Sequence, residues 1–416
     1  MIQMENLITF LETQKATDTF TYTVDDGHGG VVTKNVTVTI TDLPNPISIS
    51  HVEALPKIIE TGVFGKYDTE LSHNGSTLAI TEGDLIVVGS NRGYATSSNG
   101  AVYVLVPDGN GGRETIQLTA SGSGIANGFG GAVAANKYGT IIIGADDLDN
   151  GGWSAHGAVL TFSIRMQKVS TLSMSFLLIR EMGVFGHLVA INDAGVAVVG
   201  TTTSHNEDWQ EIHTFYVYTP TEDSGYAETQ LSSPLPGHAN HFGWNVEINA
   251  NGTIAVSAPY DDELAENSGA VYIYQPNGAG GYTETEITPS DGGLHQNFGD
   301  ELALNDNGTI VIGAENSSGN SNQSGAVYVY ALNDDGQYEE IKLIDEDGKR
   351  YDYIGHSVAN NNDGVIVVGV WRVDTEDQWN RKGYESGAIY IYRPDSNGVY
   401  TVQKLTEPYS KLRSRW

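Results

Sequence analysis

The chain has 416 residues, 50 of them glycine and none cysteine, and carries a formal charge of -31. Such an acidic surface repels phosphate backbones and anionic headgroups, which excludes nucleic acid as a partner and disfavours docking on membranes. No apolar run exceeds strand length, so membrane insertion is not expected, and abundant Gly, Val, Thr and Tyr point to an all-β fold.

Met1 to Phe10 has no basic region and only a short apolar patch, so it does not read as a signal peptide. From Asp18 to Val24 polar and apolar residues alternate, a Gly-rich turn follows, and alternation resumes from Val31 to Ile40. That pattern predicts a β-hairpin with one apolar face, too small to make a core alone. The run from Asp18 to Gly27 resembles the end of a cadherin-like or VCBS-type Ig-sandwich repeat. The resemblance implies that residues 1–45 are the C-terminal fragment of such a repeat, an N-terminal remnant of a sandwich. It further implies that the parent protein is long, extracellular and multi-domain. Asp42-Leu43-Pro44-Asn45-Pro46 reads as a stiff linker. Asp25, Asp26 and Asp42 are carboxylates available to an inter-repeat calcium site.

Downstream, one phrase returns six times. Its leading pairs are Phe64-Gly65, Phe129-Gly130, Phe185-Gly186, Phe242-Gly243, Phe298-Gly299 and Ile354-Gly355, spaced 56 or 57 residues apart after the first interval. In the fourth copy, Phe242 to Ile248 alternates like a strand and Asn249-Ala250-Asn251-Gly252 is a hairpin turn. Thr253 to Ala258 is a continuously apolar strand, a polar loop runs from Pro259 to Ser268, and Gly269 to Tyr274 is a third strand. Thr283 to Ile287 makes a polar outer fourth strand. Four antiparallel strands with no crossover helix form a propeller blade, which needs stacked neighbours to bury both faces.

The recurrence of Phe-Gly, a strand end such as Ile312-Gly313-Ala314 and Gly325-Ala326-Val327-Tyr328 resembles the FG-GAP repeat of integrin-α-type propellers. The resemblance implies a β-propeller over 46–416, with six repeats visible. Copy three carries His213-Thr214-Phe215-Tyr216 in place of Gly-Ala-Val-Tyr, and copy two loses its fourth-strand pattern around Arg165 to Ser175. Ile287, Leu343, Leu118 and Leu231 each precede the next Phe or Ile of the pair by eleven residues, and Leu405 stands eleven before Trp416. The chain therefore stops where a seventh Phe-Gly would begin, while Ser50 to Ile58 reads as an outer strand ahead of copy one. Both a six-bladed ring with a spare strand and a truncated seven-bladed ring fit.

Integrin-type blades hold calcium through Asp-x-Asp-x-Asp-Gly between strands one and two. Here those turns read Asn192-Asp193-Ala194-Gly195, Asn305-Asp306-Asn307-Gly308 and Asn361-Asn362-Asp363-Gly364, with one Asp each, which favours plain hairpin turns. The acidic loops between strands two and three are richer: Asp146, Asp147 and Asp149, and then Asp261, Asp262 and Glu263. These are the candidate ligands for Ca2+, the one cofactor expected. Trp153, Trp209, Trp371 and Trp379 fall in the same class of loops, with Arg372 inside a small basic cluster. On that loop face they are candidates to stack on sugar rings or anchor a protein. Residues just after the leading pairs, Lys66, Gly131, His187, Trp244, Asp300 and His356, read as a polar lining.

No zinc-protease helix, phosphate loop or nucleophile elbow is present. The preferred expectation is therefore a non-enzymatic adhesion or ligand-binding propeller, a monomeric module of a larger surface or secreted bacterial-type protein, with a protein or glycan ligand. The alternative is a carbohydrate-binding or carbohydrate-active propeller using the Trp-bearing loops.

Overall fold

The computed structural model describes residues 16–25, 31–40, 48–55, 74–81, 84–90, 100–107, 112–121, 128–145, 157–164, 172–180, 184–205, 211–222, 225–232, 241–319, 323–333, 335–346, 348–370, 375–376, 382–383, 387–395 and 398–405. Every regular element among them is a strand. A hairpin comes first, β1 (Ala16–Asp25) and β2 (Val31–Ile40), in unbroken register from Ala16↔Ile40 to Asp25↔Val31. Then come β3 (Ser48–Leu55), β4 (Asn74–Ile80), β5 (Ile86–Ser90), β6 (Ala101–Pro107) and β7 (Arg113–Ser121), which form one sheet in the order β3-β7-β6-β5-β4.

Five four-stranded antiparallel sheets follow, each a propeller blade. They are β8 (Phe129–Ala135), β9 (Thr140–Ala145), β10 (Gly157–Ile164) and β11 (Leu172–Arg180); then β12 (Val184–Ile191), β13 (Ala197–His205), β14 (Glu211–Pro220) and β15 (Tyr226–Ser232). Next are β16 (Val246–Ile248), β17 (Ile254–Ala258), β18 (Ala270–Pro276) and β19 (Tyr282–Ile287); then β20 (Glu301–Leu304), β21 (Ile310–Ala314), β22 (Ala326–Leu332) and β23 (Tyr338–Leu343). The last blade joins β24 (Ser357–Asn360) and β25 (Ile366–Val370) to β28 (Ala388–Pro394) and β29 (Tyr400–Leu405), with a two-stranded ladder, β26 (Thr375–Glu376) and β27 (Lys382–Gly383), inserted between. We number these sheets blades 1 to 6 in chain order, the five-stranded sheet being blade 1.

Three expectations are corrected. The strand near Ser50 belongs to blade 1: β3 pairs antiparallel with β7 as its fifth strand. The leading pair of repeat one is not Phe64-Gly65, which lies outside the described residues. Asn74↔Ser90 and Thr77↔Gly89 in blade 1 match Phe129↔Ala145 and Ala132↔Gly144 in blade 2, so Asn74-Gly75 holds the Phe-Gly place. Position 74 lies 55 residues before Phe129, close to the 56 or 57 of the later intervals. Copy two has its fourth strand after all, as β11 pairs with β10 around a bulge at Thr161/Phe162. The degraded third strand of copy three also forms, within β14.

The chain divides into two compact units, Met1–Ser204 with Phe215–Gln230, and His205–Thr214 with Leu231–Trp416. Within each, the core lies between consecutive blades. In the second unit Leu302 and Phe298 of blade 5 pack on Ala255, Val271, Ile273 and Ile287 of blade 4. Ile354 and Val358 of blade 6 pack on Val311, Val327, Val329 and Leu343 of blade 5. In the first unit Phe185 and Val189 of blade 3 join Ala132, Ile142 and Val159 of blade 2.

This packing explains the repeated phrase. Phe129, Phe185, Phe242, Phe298 and Ile354 are all buried, and Phe242 and Phe298 meet Tyr272 and Tyr328 edge-on at 5.4 and 5.2 Å. The following glycine turns the chain at positive φ, 101° at Gly299 and 94° at Gly355. Its carbonyl then lies where a Cβ on the preceding blade would stand: Gly355 O over Gly313, and Gly186 O over Gly144. The motif is a plug and a close backbone contact, so it encodes blade stacking.

Candidate functional site

The hairpin turns between strands one and two use their polar groups structurally. Asn249 Oδ1 accepts the N–H of Thr253 and its Nδ2 donates to the carbonyl of Asn305 at 3.2 Å in the next blade. Asn305 repeats both contacts, to Thr309 N and Asn361 O at 2.9 Å each. Asn136 reaches Asn192 O in the first unit in the same way. The lone aspartates brace the ladder: Asp306 accepts from Ala250 N at 2.8 Å and Asn362 Nδ2 at 3.0 Å, and Asp193 holds Lys137 at 2.7 Å.

Of the sequence-predicted metal ligands, Asp261 and Glu263 are brought together. Asp262 turns away and accepts the N–H of Asn267 at 2.7 Å. Its place is taken by Glu286, from the outer strand β19. One carboxylate oxygen from each of Asp261, Glu263 and Glu286 lies within 4.8 Å of the others. Buried Asp261 accepts from Tyr272 Oη at 3.2 Å, and the same hydroxyl contacts Glu286 at 3.2 Å. Burial first, then a hydrogen bond with and repulsion from Glu263, push the Glu286 carboxyl up to about 7, with the Tyr272 hydroxyl opposing. Asp146, Asp147, Asp149, Trp153, Trp209, Trp371, Arg372 and Trp379 lie outside the described residues, as do Asp26 and Asp42.

The sister blades define what this spot normally holds. Tyr272 pairs across the strands with Glu286, Tyr328 with Lys342, and Tyr390 with Lys404. In blade 5, Lys342 Nζ sits 5.1 Å from the Tyr328 ring centroid and 2.5 Å from Asp291, which also accepts from Tyr328 Oη at 2.7 Å. Burial opposes ionisation of Asp291, but the hydrogen bonds from Lys342 and Tyr328 outweigh it and hold its carboxyl low. In blade 6, Lys404 lies 4.8 Å from the Tyr390 centroid and 3.1 Å from Asp345. Blades 5 and 6 thus each set an ammonium and an aspartate on the tyrosine, whereas blade 1 puts Gln117 opposite Tyr103. Blade 4 keeps the tyrosine and puts the carboxylate of Glu286 where the ammonium belongs; its Asp261 comes instead from the loop between β17 and β18, at the place of Ser317 in blade 5. The cross-strand position of Glu286 was the available sequence signal.

A second acidic group gathers at the first strands of blades 4 to 6. Burial, then repulsion from Glu315 and Glu301, raises Asp300 to about 8. Burial lifts Glu301 to about 7, with His356 opposing and Glu315 adding. Burial and the nearby Glu301 raise Glu247 to about 7. His356 Nδ1 lies 2.7 Å from Glu315 Oε2. Thus Asp300 and His356, read from sequence as polar lining, do share one neighbourhood. Trp244 is 45% exposed and stands against His241 and Tyr260, centroids 5.7 and 6.4 Å away. None of the Trp candidates named from sequence is this one.

The FG-GAP repeat profile matches residues 237–274, 283–330 and 338–392, the three blades of the second unit. These blades are FG-GAP repeats in a β-propeller arrangement. No curated protein matches the chain. Among solved structures, the periplasmic gluconolactonase PpgL of Pseudomonas aeruginosa is similar at 12% identity and a TM-score of 0.48, over 77% of this chain and 82% of that one. Sqt1 from Chaetomium thermophilum is similar at 12% identity and 0.45, over 79% and 71%. A leech intramolecular trans-sialidase is similar at 11% and 0.41, over 82% and 68%. Likeness this distant carries nothing about chemistry.

Proposed function

We propose that the chain is a non-enzymatic, calcium-responsive ligand-binding propeller of an extracellular or cell-surface protein. The observation that carries the calcium reading is the blade 4 trio, Asp261, Glu263 and Glu286, with Glu286 standing where Lys342 and Lys404 supply the positive charge in blades 5 and 6. Three carboxylates around a buried tyrosine are hard oxygen donors, which is the donor set calcium takes. The acidic chain and the FG-GAP repeats support an adhesive or binding role, and the N-terminal hairpin supports a cadherin-like neighbour.

Calorimetric titration of Ca2+ into the full chain and into Glu286→Lys tests this. Saturable binding and a raised Tm are expected for the parent. The variant, which restores the ammonium of the sister blades, is expected to melt higher without calcium and to gain nothing from it. Calcium responses unchanged by Glu286→Lys sink the assignment.

A second reading has its own observation. The exposed Trp244 with Tyr260 and His241 offers a stacking surface on the same blade as Glu247. Aromatic faces beside carboxylates with raised pKa suit a sugar ring and, with Asp300 protonated near neutrality, acid-base work on it. Turnover of any polysaccharide, lost in Asp300→Asn and in Trp244→Ala, establishes that reading over the first. Binding without turnover retains the non-enzymatic one.

A further inference from the structure

We propose that Asn277-Gly278, in the hairpin between β18 and β19, is a site of spontaneous deamidation built into blade 4. The Asn-Gly pairs whose side chains the structure describes are Asn251-Gly252, Asn277-Gly278 and Asn307-Gly308. Each sets its glycine at positive φ, 80°, 74° and 81° in turn. The dipeptide and its turn are therefore matched, and only the surroundings differ.

The reaction is a cyclisation. Solvent base takes the proton of the glycine N–H, and the nitrogen attacks Cγ of the asparagine amide. The new N–Cγ bond forms as the Cγ–Nδ2 bond breaks, and Nδ2 leaves as ammonia with a proton from water. Water then opens the cyclic imide at either carbonyl, giving aspartate or isoaspartate. One water is consumed and one ammonia released, with no oxidant or reductant. The site must offer a free glycine N–H, an unrestrained leaving amide and an amide oxygen stabilised as negative charge develops on it.

At Asn251 and Asn307 the nucleophile and the leaving group are both held. Gly252 N donates to Asn249 O and Gly308 N to Asn305 O, at 3.0 Å each. Asn251 Nδ2 donates to Asp306 O at 2.9 Å and Asn307 Nδ2 to Asn362 O at 2.7 Å. A Cβ on Gly252 would stand 3.2 Å from Pro276, and one on Gly308 3.5 Å from Leu332.

The outer hairpin reverses this. The N–H of Gly278 has no acceptor among the described residues. A Cβ there would meet nothing within 4 Å, so solvent base has access. Asn277 is exposed, and its Oδ1 accepts the N–H of Ala279 at 2.9 Å and of Gly281 at 3.1 Å. Two backbone donors thus face the oxygen on which charge develops during attack, as in an oxyanion hole. The turn also accommodates the acid product. Blade 6 has Asp395 at the same position, accepting the N–H of Val399 at 2.9 Å. Aspartate at 277 keeps the turn and adds one negative charge, whereas isoaspartate lengthens the backbone inside the turn that closes on Pro276↔Tyr282.

The full chain is incubated at mildly alkaline pH, folded in one arm and in urea in the other. Peptide mass mapping follows the conversion of amide to acid at each pair, and chromatography resolves isoaspartate from aspartate. In urea the three pairs are expected to react at similar rates. Folding is expected to slow Asn251 and Asn307 by about tenfold or more, because cyclisation there must first break a hydrogen bond. Asn277 is expected to react in the folded chain at least as fast as in urea. The Asn277→Asp variant is expected to melt with the parent. Slowing of Asn277 on folding to the level of the other two, or reaction of Asn251 or Asn307 in the folded chain as fast as at Asn277, overturns the proposal.

Discussion

The turn ladder can be tested by removing one amide at two rungs. Asn305 is 6% exposed and makes two hydrogen bonds, from Thr309 N at 2.9 Å and to Asn361 O at 2.9 Å. Asn305→Ala leaves a part-buried N–H and a carbonyl without those partners, which costs about 1–3 kcal/mol. Asn361 occupies the same turn position, accepts from Asp363 N and Val365 N, and is exposed. Water replaces its contacts, so Asn361→Ala costs about 1 kcal/mol or less. The assay is urea unfolding of the full chain with amide exchange read over residues 254–314, because a chain of two units need not unfold in one step.

A third variant adds a pH signature. Asn305→Asp keeps the acceptor and turns the donor toward Asn361 O into a carboxylate oxygen. Burial against a carbonyl raises the folded pKa of the new acid above its unfolded value of about 3.9. The penalty relative to the parent is then full above the folded pKa and shrinks as pH falls through it, where the protonated acid donates again. Equal losses at Asn305 and Asn361, or a pH-independent Asn305→Asp, would refute the inter-blade role of the amide.

Gly313→Ala sets a Cβ on a backbone carbonyl that cannot move aside and is expected to cost about 3 kcal/mol or more; Gly369→Ala, whose Cβ would first meet the rotatable Ser357 hydroxyl, is expected to cost less than half of that in the same unfolding assay. Stability should also fall as pH rises. Glu247, Glu301 and Glu286 move from 4.5 to about 7 on folding and Asp300 from 3.8 to about 8. The folded state therefore binds more protons than the unfolded one between about pH 4 and 8, so stability drops across that window and levels off above it. Tm values that are flat or rising over that range, without calcium, contradict the reading.

The period and the four-strand unit were legible because each repeat alternates, turns and alternates again at a fixed spacing, as from Phe242 to Ile287. The first repeat was misread because Phe64-Gly65 matches the motif as letters, whereas the register answers to the strand that follows it, and there Asn74-Gly75 fits. The strand near Ser50 had the composition of an outer strand and is one; its composition could not say which sheet it edges. Asp261 and Glu263 were visible as a local acidic run. Glu286 was not, since it lies on another strand and gains meaning only through the Tyr272↔Glu286 register. Trp244 was passed over as a lining position, since burial of its neighbours, not its own spacing, decides that its ring stays exposed.

A repeat protein carries its own controls, and here they separate scaffold from function. Positions that keep one chemistry across most blades answer to stacking: the buried Phe or Ile and the turn asparagine of blades 2 to 6, and the glycine beneath a neighbour's carbonyl in blades 1, 2 and 5. Positions that change chemistry while the geometry holds are free of that demand. The strand-four residue opposite the tyrosine is such a position, with Lys342 and Lys404 closing a charge-balanced contact and Glu286 opening one. Like charge at a partly buried site is a standing cost to the fold. A cost kept in blade 4 and cancelled in blades 5 and 6 is the ground for proposing a cation there, and makes blade 4 the place where this chain's chemistry departs from its architecture.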